Sequence, residues 1–147
     1  MLKDKLEFLE IEFMTPMYDL SIALRDKILR KPLGLEFQAE DLAMEYQDYH
    51  LALLYNGDLA ACLVLSPKSD GEIKMRQVAV DDHYQSKGLG TVLVGECERF
   101  CTLKGYKKIV LNARDTAVEF YKKMNYSVEG EPFQEVGIKH LKMCKTI

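Results

Sequence analysis

Between Met75 and Phe100 a short apolar stretch runs into a polar loop, Asp81 to Lys87, then into Gly88 and Gly90 and a long amphipathic segment. A strand, a glycine turn and a helix in that order form a phosphate-binding arrangement. Glycine lets the backbone come close, and the free N–H groups of the helix start point at the anion. The strand carries an irregularity of its own. Ile73 and Met75 alternate as residues on one sheet face should, and so do Val78 and Val80, but the two pairs are out of phase by one residue. This predicts a β-bulge near Arg76 and Gln77, which leaves backbone groups free to pair with the amides of a ligand. Beyond the loop, Leu89, Val92, Leu93, Cys97, Phe100 and Cys101 fall at helical spacing and define one apolar stripe, with Glu96, Glu98 and Arg99 on its solvated side or border.

The flanking chain reads as support for that turn. Leu6, Phe8, Ile11 and Phe13 suit a first strand over Leu6 to Phe13. Pro16 fits the first turn of a helix, Met17 to Leu29 keeps helical spacing, and Pro32 and Gly34 stop it. Glu40 to Met44 suits a short acidic helix or turn. His50 to Tyr55 and Leu59 to Leu65 are apolar runs joined by Asn56-Gly57, a strong hairpin signal, and Pro67 to Gly71 makes a second turn. Gly105 ends the long helix. Lys107 to Leu111 then reads as a strand buried on both faces, and the strand, helix, strand order predicts a right-handed crossover with parallel pairing. Asp115 or Thr116 can cap a further helix that carries Ala117, Val118, Phe120, Tyr121 and Met124. Tyr126 to Val128 and Gly137 to Met143 close the chain as a strand pair around Gly130-Glu131-Pro132. The expected architecture is α/β. It has a mixed, mainly antiparallel central sheet, a parallel central pair that splays near the bulge, helices on both faces, and a single domain over residues 1–147.

Charge and composition exclude other classes. A net charge of −3 gives no general attraction for nucleic acid or for an anionic membrane. No apolar run approaches the roughly 20 residues that span a bilayer, and the charged start Met1-Leu2-Lys3-Asp4-Lys5 lacks a signal-peptide core, so a cytoplasmic location is expected. Cys62, Cys97, Cys101 and Cys144 contain no CxxC pair. Cys97 and Cys101 share the apolar stripe and read as reduced core thiols, so no metal is expected. Edge strands leave room for a homodimer.

At Gln85-Ser86-Lys87-Gly88-Leu89-Gly90 the chain resembles the GCN5-related N-acetyltransferases, whose signature for the pyrophosphate of acetyl-CoA is Gln or Arg, two residues, Gly, one residue, and Gly or Ala. Ala117 to Tyr126 is similar to the family's next helix, with Ala, an aromatic, Tyr, and then Asn followed by an aromatic. Arg76-Gln77-Val78-Ala79-Val80 resembles its fourth strand, whose main chain pairs with pantetheine. The likeness runs from about Leu51 to the C-terminus. It implies the acyl-CoA N-acyltransferase fold and acetyl transfer from acetyl-CoA to a primary amine, on a small molecule or a peptide, by direct attack.

The resemblance also implies roles. Amides from Gln85 through Ser86, Lys87, Gly88, Leu89 and Gly90 to Thr91 would hold the diphosphate, assisted by Lys87 if its ammonium points inward; Val78, Ala79 and Val80 would align the pantetheine arm. Tyr121 would protonate the leaving thiolate, and Ala117 opens its helix. The segment Lys31 to Leu35 lies where the family borders the acceptor. Many members place a glutamate on the fourth strand, where this chain has Lys74; Glu72, two residues earlier on the same face, is the replacement candidate. Glu135 and His140 fit a subgroup pattern and are further base candidates, histidine because it titrates close to neutral pH. Where the family commonly has Asn before the helix, this chain has Arg114, with Asn112 two residues earlier. The missing strand glutamate motivates an alternative, a catalytically weak CoA-binding regulatory or interaction domain. A third reading, a nucleotide-binding α/β protein, is opposed by the Asn56-Gly57 hairpin.

Overall fold

The computed structural model describes residues 4–147. In chain order its elements are β1 (Leu6–Ile11), α1 (Pro16–Arg25), α2 (Ala39–Ala43), β2 (Tyr49–Tyr55), β3 (Asp58–Pro67), β4 (Glu72–Val80), α3 (Leu89–Leu103), β5 (Lys108–Arg114), α4 (Val118–Lys123), β6 (Ser127–Val128), β7 (Phe133–Glu135) and β8 (Ile138–Thr146). All strands join one sheet in the order β1-β2-β3-β4-β5-β8-β6, with β7 paired to β8. Among the described residues only β4 and β5 run parallel, as the crossover through α3 requires.

Turn chemistry sets the register. Asn56 and Gly57 both take left-handed backbone, at φ 50° and 88°, and turn β2 into β3. Val136 and Gly137 do the same, at φ 47° and 74°, and turn β7 into β8. The expected final strand pair is present as β6 with β8, but β7 is inserted beside it. A three-residue strand ending at a left-handed valine carries no turn signal that composition alone would flag.

Side-chain alternation sorts the two faces. Leu51, Leu53, Leu63, Leu65, Ile73, Met75, Ile109 and Leu111 pack with Leu93, Val94, Cys97 and Cys101 of α3 and with Val118 and Tyr121 of α4. On the opposite face Ala52 meets Tyr18, and Cys62 and Ala79 meet Leu24, so small residues accept α1 closely. Each large apolar side chain buried in this way contributes about 1.5–3 kcal/mol. The α3 stripe differs from expectation at one place: Val94 is buried and Val92 is exposed. Gly105 ends α3 at φ 93°, with Tyr106 N–H bonded to Cys101 O and Gly105 N–H to Thr102 O, each at 3.0 Å.

Two helix boundaries also differ. The helix expected to reach Leu29 gives way after Arg25 to a π-helical turn, Asp26–Arg30, and then to a 3₁₀ turn that Gly34 ends at φ 69°. Neither Asp115 nor Thr116 caps α4 with its side chain; a 3₁₀ turn over Asp115–Ala117 leads into it. Among the described residues no helix is long and apolar enough to cross a membrane.

The bulge lies where the phase slip puts it. Val64 faces Arg76 and Cys62 faces Ala79, so two residues of β4 oppose Leu63 alone, and Gln77 takes φ 53°. Past this point β4 follows β3 and leaves β5. Parallel pairing covers only Glu72 with Lys108, Ile73 with Ile109 and Lys74 with Val110. Meanwhile β5 stays with β8 as far as Arg114 opposite His140, so the sheet opens into a wedge.

Candidate active site

The wedge holds a cavity of about 370 Å³. Lys74, Met75, Arg76, Gln77 and Val78 line it from β4, and Leu111, Asn112, Ala113 and Arg114 from β5. Thr116, Ala117 and Tyr121 come from the α4 end, Leu29, Arg30 and Leu35 from the π turn and the segment after it, and Glu135, Val136 and His140 from the last hairpin. A π turn widens the helix at its end and brings Leu29 and Arg30 to the wedge, a use such turns often have. Arg114 fixes that turn from across the wedge by donating from Nη2 to the Leu29 carbonyl at 3.4 Å.

Tyr121 is buried and lies edge-on to Phe120 and Tyr126, with ring centroids 5.0 and 5.6 Å away. Burial, helped by the nearby Cys97, pushes its phenol up to about 12, so it stays protonated well above neutral pH. His140 is buried with its ring stacked 5.9 Å from Phe133. Its Nδ1 lies 2.8 Å from the Ile138 carbonyl, which can only accept, so Nδ1 carries the ring proton. The neutral ring therefore keeps an unprotonated Nε2, 3.8 Å from Glu135 Oε2. The tight β7–β8 hairpin brings these two together.

Glu72 is not brought to the cavity. Alternation puts it on the face of Lys74, but it lies in the part of β4 still paired to β5, where its carboxylate sits 3.7 Å from Lys108 Nζ. Lys74 lines the cavity instead, with its ammonium held below the ordinary lysine range by burial and then by Arg76. Of the three residues nominated for backbone contact, Val78 lines the cavity, Ala79 is packed under α1, and Val80 packs near Gly90.

The glycine turn lies beside the cavity and is not part of its lining. Ser86 and Gly88 take left-handed backbone at φ 69° and 75°, and Gln85 Nε2 donates to the Val80 carbonyl at 3.1 Å, tying the loop to the end of β4. Val92 N–H is bonded to Gly88 O, so the amides of Leu89, Gly90 and Thr91 precede the first helical bond and remain available to an anion. A Cβ at Gly90 would stand 3.4 Å from Phe120, which explains a small residue there. Lys87 does not point inward: its ammonium sits 5.5 Å over the Tyr55 ring. Asn112, Arg114 and Ala117 all line the cavity.

One buried cluster has no counterpart in the sequence reading. Glu45 accepts from Arg25 Nη1 and Nη2 at 2.9 and 2.8 Å and from the Tyr18 hydroxyl at 2.7 Å, and Arg25 Nη1 also donates to Gln77 Oε1 at 2.9 Å. Arg25 thus locks the bulged residue in its left-handed conformation. Asp81, Asp82 and His83 converge within 4.8 Å, but the Lys27 ammonium lies 3.1 and 2.8 Å from the two carboxylates and neutralises them. Cys97 and Cys101 are free, buried thiols of the core.

Residues 34–147 match the profile of a family described as an acetyltransferase (GNAT) domain. An uncharacterized N-acetyltransferase of Bacillus subtilis, YjcF, is 28% identical over 123 residues, covering 83% of this chain and 87% of that protein. A crystal structure of a Lactobacillus plantarum protein assigned as an N-acetyltransferase superposes with a TM-score of 0.85 at 23% identity, over 96% of this chain and 97% of that one. A GNAT family acetyltransferase from Elizabethkingia anophelis, solved with acetyl-CoA bound, gives a TM-score of 0.76 at 20% identity over 99% of this chain and 100% of that one.

Proposed function

The chain belongs to the acetyltransferase (GNAT) family, and from that premise we propose that it works as a cytoplasmic enzyme moving the acetyl group of acetyl-CoA to a primary amine of a small molecule or peptide. The observation that carries this reading is the wedge between β4 and β5, open past Lys74 and walled by the bulge, whose Gln77 and Val78 line it. The residues present fit the donor. The free amides of Leu89 to Thr91, with the loop from Gln85, would take the diphosphate, Val78 to Val80 the pantetheine amides, and Asn112, Arg114 and Ala117 the other wall. When bound, acetyl-CoA supplies an activated acyl carbon and a thiolate leaving group.

The chain's own residues then supply position and protons. The cavity brings the amine nitrogen to the acyl carbon, so that the C–N bond forms and the C–S bond breaks. His140 Nε2 takes the proton that the amine loses, with Glu135 Oε2 3.8 Å from it. Tyr121 gives its phenolic proton to the departing sulfur. Both proton carriers line the same cavity, which supports direct transfer without a covalent acyl-enzyme.

Acetyl-CoA consumption on a panel of amines tests this, with CoA binding measured separately. Replacing Tyr121 by Phe is expected to lower kcat by about 10²–10⁴ and to leave CoA affinity within a few-fold. Binding of CoA with no turnover on any amine would favour the alternative, a CoA-binding regulatory domain, for which Lys74 in place of a strand glutamate is the specific observation.

A further inference from the structure

We infer that the acceptor is an amine that also carries an anionic group, a carboxylate or a phosphate, held by cations on the cavity wall. This rests on the acetyltransferase reading and narrows its acceptor.

The chain has a net charge of −3, yet four cations, Arg30, Lys74, Arg76 and Arg114, line the cavity against a single carboxylate, Glu135. They come from separate elements. Lys74 and Arg76 stand two apart on one face of β4, Arg114 lies across the wedge at the end of β5, and Arg30 ends the π turn.

Little in the protein neutralises them. Among the described residues Arg30, Lys74 and Arg114 form no ion pair, and Arg76 reaches Asp48 only at 3.9 Å while donating to Ser66 Oγ at 3.1 Å. The lone carboxylate lies beside His140. Burial and then Arg76 hold the Lys74 ammonium below the ordinary lysine range, and Glu135 offsets this only in part. The diphosphate of the donor does not absorb this charge either: the amides proposed to hold it lie at the Gln85 to Thr91 turn, outside the lining.

Such a wall selects by sign. Guanidinium groups match the two oxygens of a carboxylate or phosphate, and an anion seated there gains charge-assisted hydrogen bonds. A second ammonium on the acceptor meets four cations against one carboxylate, which disfavours polyamines. The surplus also favours the reacting nitrogen in its neutral form, the form that attacks.

Matched pairs of small amines test the inference: phosphoethanolamine against ethanolamine, β-alanine against its amide, and putrescine as the dication. The measured quantity is kcat/KM with saturating acetyl-CoA, with calorimetric heat of each amine on CoA-loaded protein as a second readout. At least one anionic amine is expected to exceed its neutral partner by about tenfold or more, mainly through KM, with putrescine poorest. The phosphate and carboxylate arms show which anion the site takes. Lys74→Gln is expected to shrink the preference several-fold, and Lys74→Arg to keep it. Equal or better use of neutral or dicationic amines overturns the inference, as does CoA-loaded protein that gives neither heat nor turnover with both anionic probes. Failure of CoA itself to bind would instead remove the acetyltransferase reading beneath it.

Discussion

On one side of the β4 bulge Arg25 and Glu45 are 1% and 5% exposed, and the carboxylate is bonded to two guanidinium nitrogens and a tyrosine hydroxyl. On the other side Lys74, Arg76 and Arg114 are only half buried and face a cavity with one carboxylate in it. Arg25 bonds to Gln77, and Lys74 and Arg76 stand within three positions of it on β4, yet the two groups of charges obey different physics. A buried ion must be matched inside the protein, because leaving it unmatched exceeds what a fold can spare. A half-buried ion over a cavity can leave its match to water or to a ligand. The ion-paired cluster therefore reads as the device that holds the bulge, and the largely unpaired one as the surface that the bulge exposes.

Arg25→Ala should strike hardest. It strands the Glu45 carboxylate in the core and releases Gln77, so a stability loss of about 3–5 kcal/mol is expected in urea unfolding. CoA affinity should fall with it where the variant remains folded. The double change Arg25→Met with Glu45→Leu removes both charges and should recover much of that stability. If it recovers CoA affinity as well, Arg25 is not what locks Gln77 and the comparison breaks.

Acid should separate the clusters next. Burial alone would raise the Glu45 carboxyl, but the bonds from Arg25 and Tyr18 outweigh it and hold the group below its ordinary 4.5. Its stabilisation is therefore complete above that value and disappears as pH falls through the lower folded one. Lys74 behaves differently. Its depressed folded pKa penalises the fold at neutral pH, and the penalty lifts only as pH rises towards the ordinary 10.5. The stability gap between the wild type and Glu45→Gln should change with pH on the acid side, and that between the wild type and Lys74→Gln only on the alkaline side.

The smallest effects belong to cations that form no ion pair among the described residues. Lys74→Gln should change stability at neutral pH by less than about 0.5 kcal/mol, measured in the same urea series, although it changes acceptor choice. Lys87→Ala should alter CoA affinity less than about threefold, because its ammonium rests on Tyr55 instead of facing the glycine turn.

The bulge, the splayed parallel pair and the α3 start were legible because each has a local signature: a slip in a period of two, a crossover order, glycines at fixed offsets. Tyr121, His140, Glu135, Asn112 and Arg114 all reach the cavity for the same reason, since they lie on elements whose phase the sequence displays. Glu72 failed through length and not phase. It has the right face, but the wedge opens only beyond Lys74. The π turn stayed hidden because helical spacing in Leu24 and Ile28 does not reveal a widened ladder that starts after Arg25. The Arg25–Glu45 pair stayed hidden because its partners are 20 residues apart and each alone looks like a solvated charge.

Amide hydrogen exchange with and without CoA tests the central claim most directly, because it reads the wedge residue by residue. Strong slowing is expected at Val78 and Val80 and from Ser86 to Thr91, with the already bonded amides of β2 unchanged. Binding of CoA without protection at those amides, or no binding at all, would contradict the account.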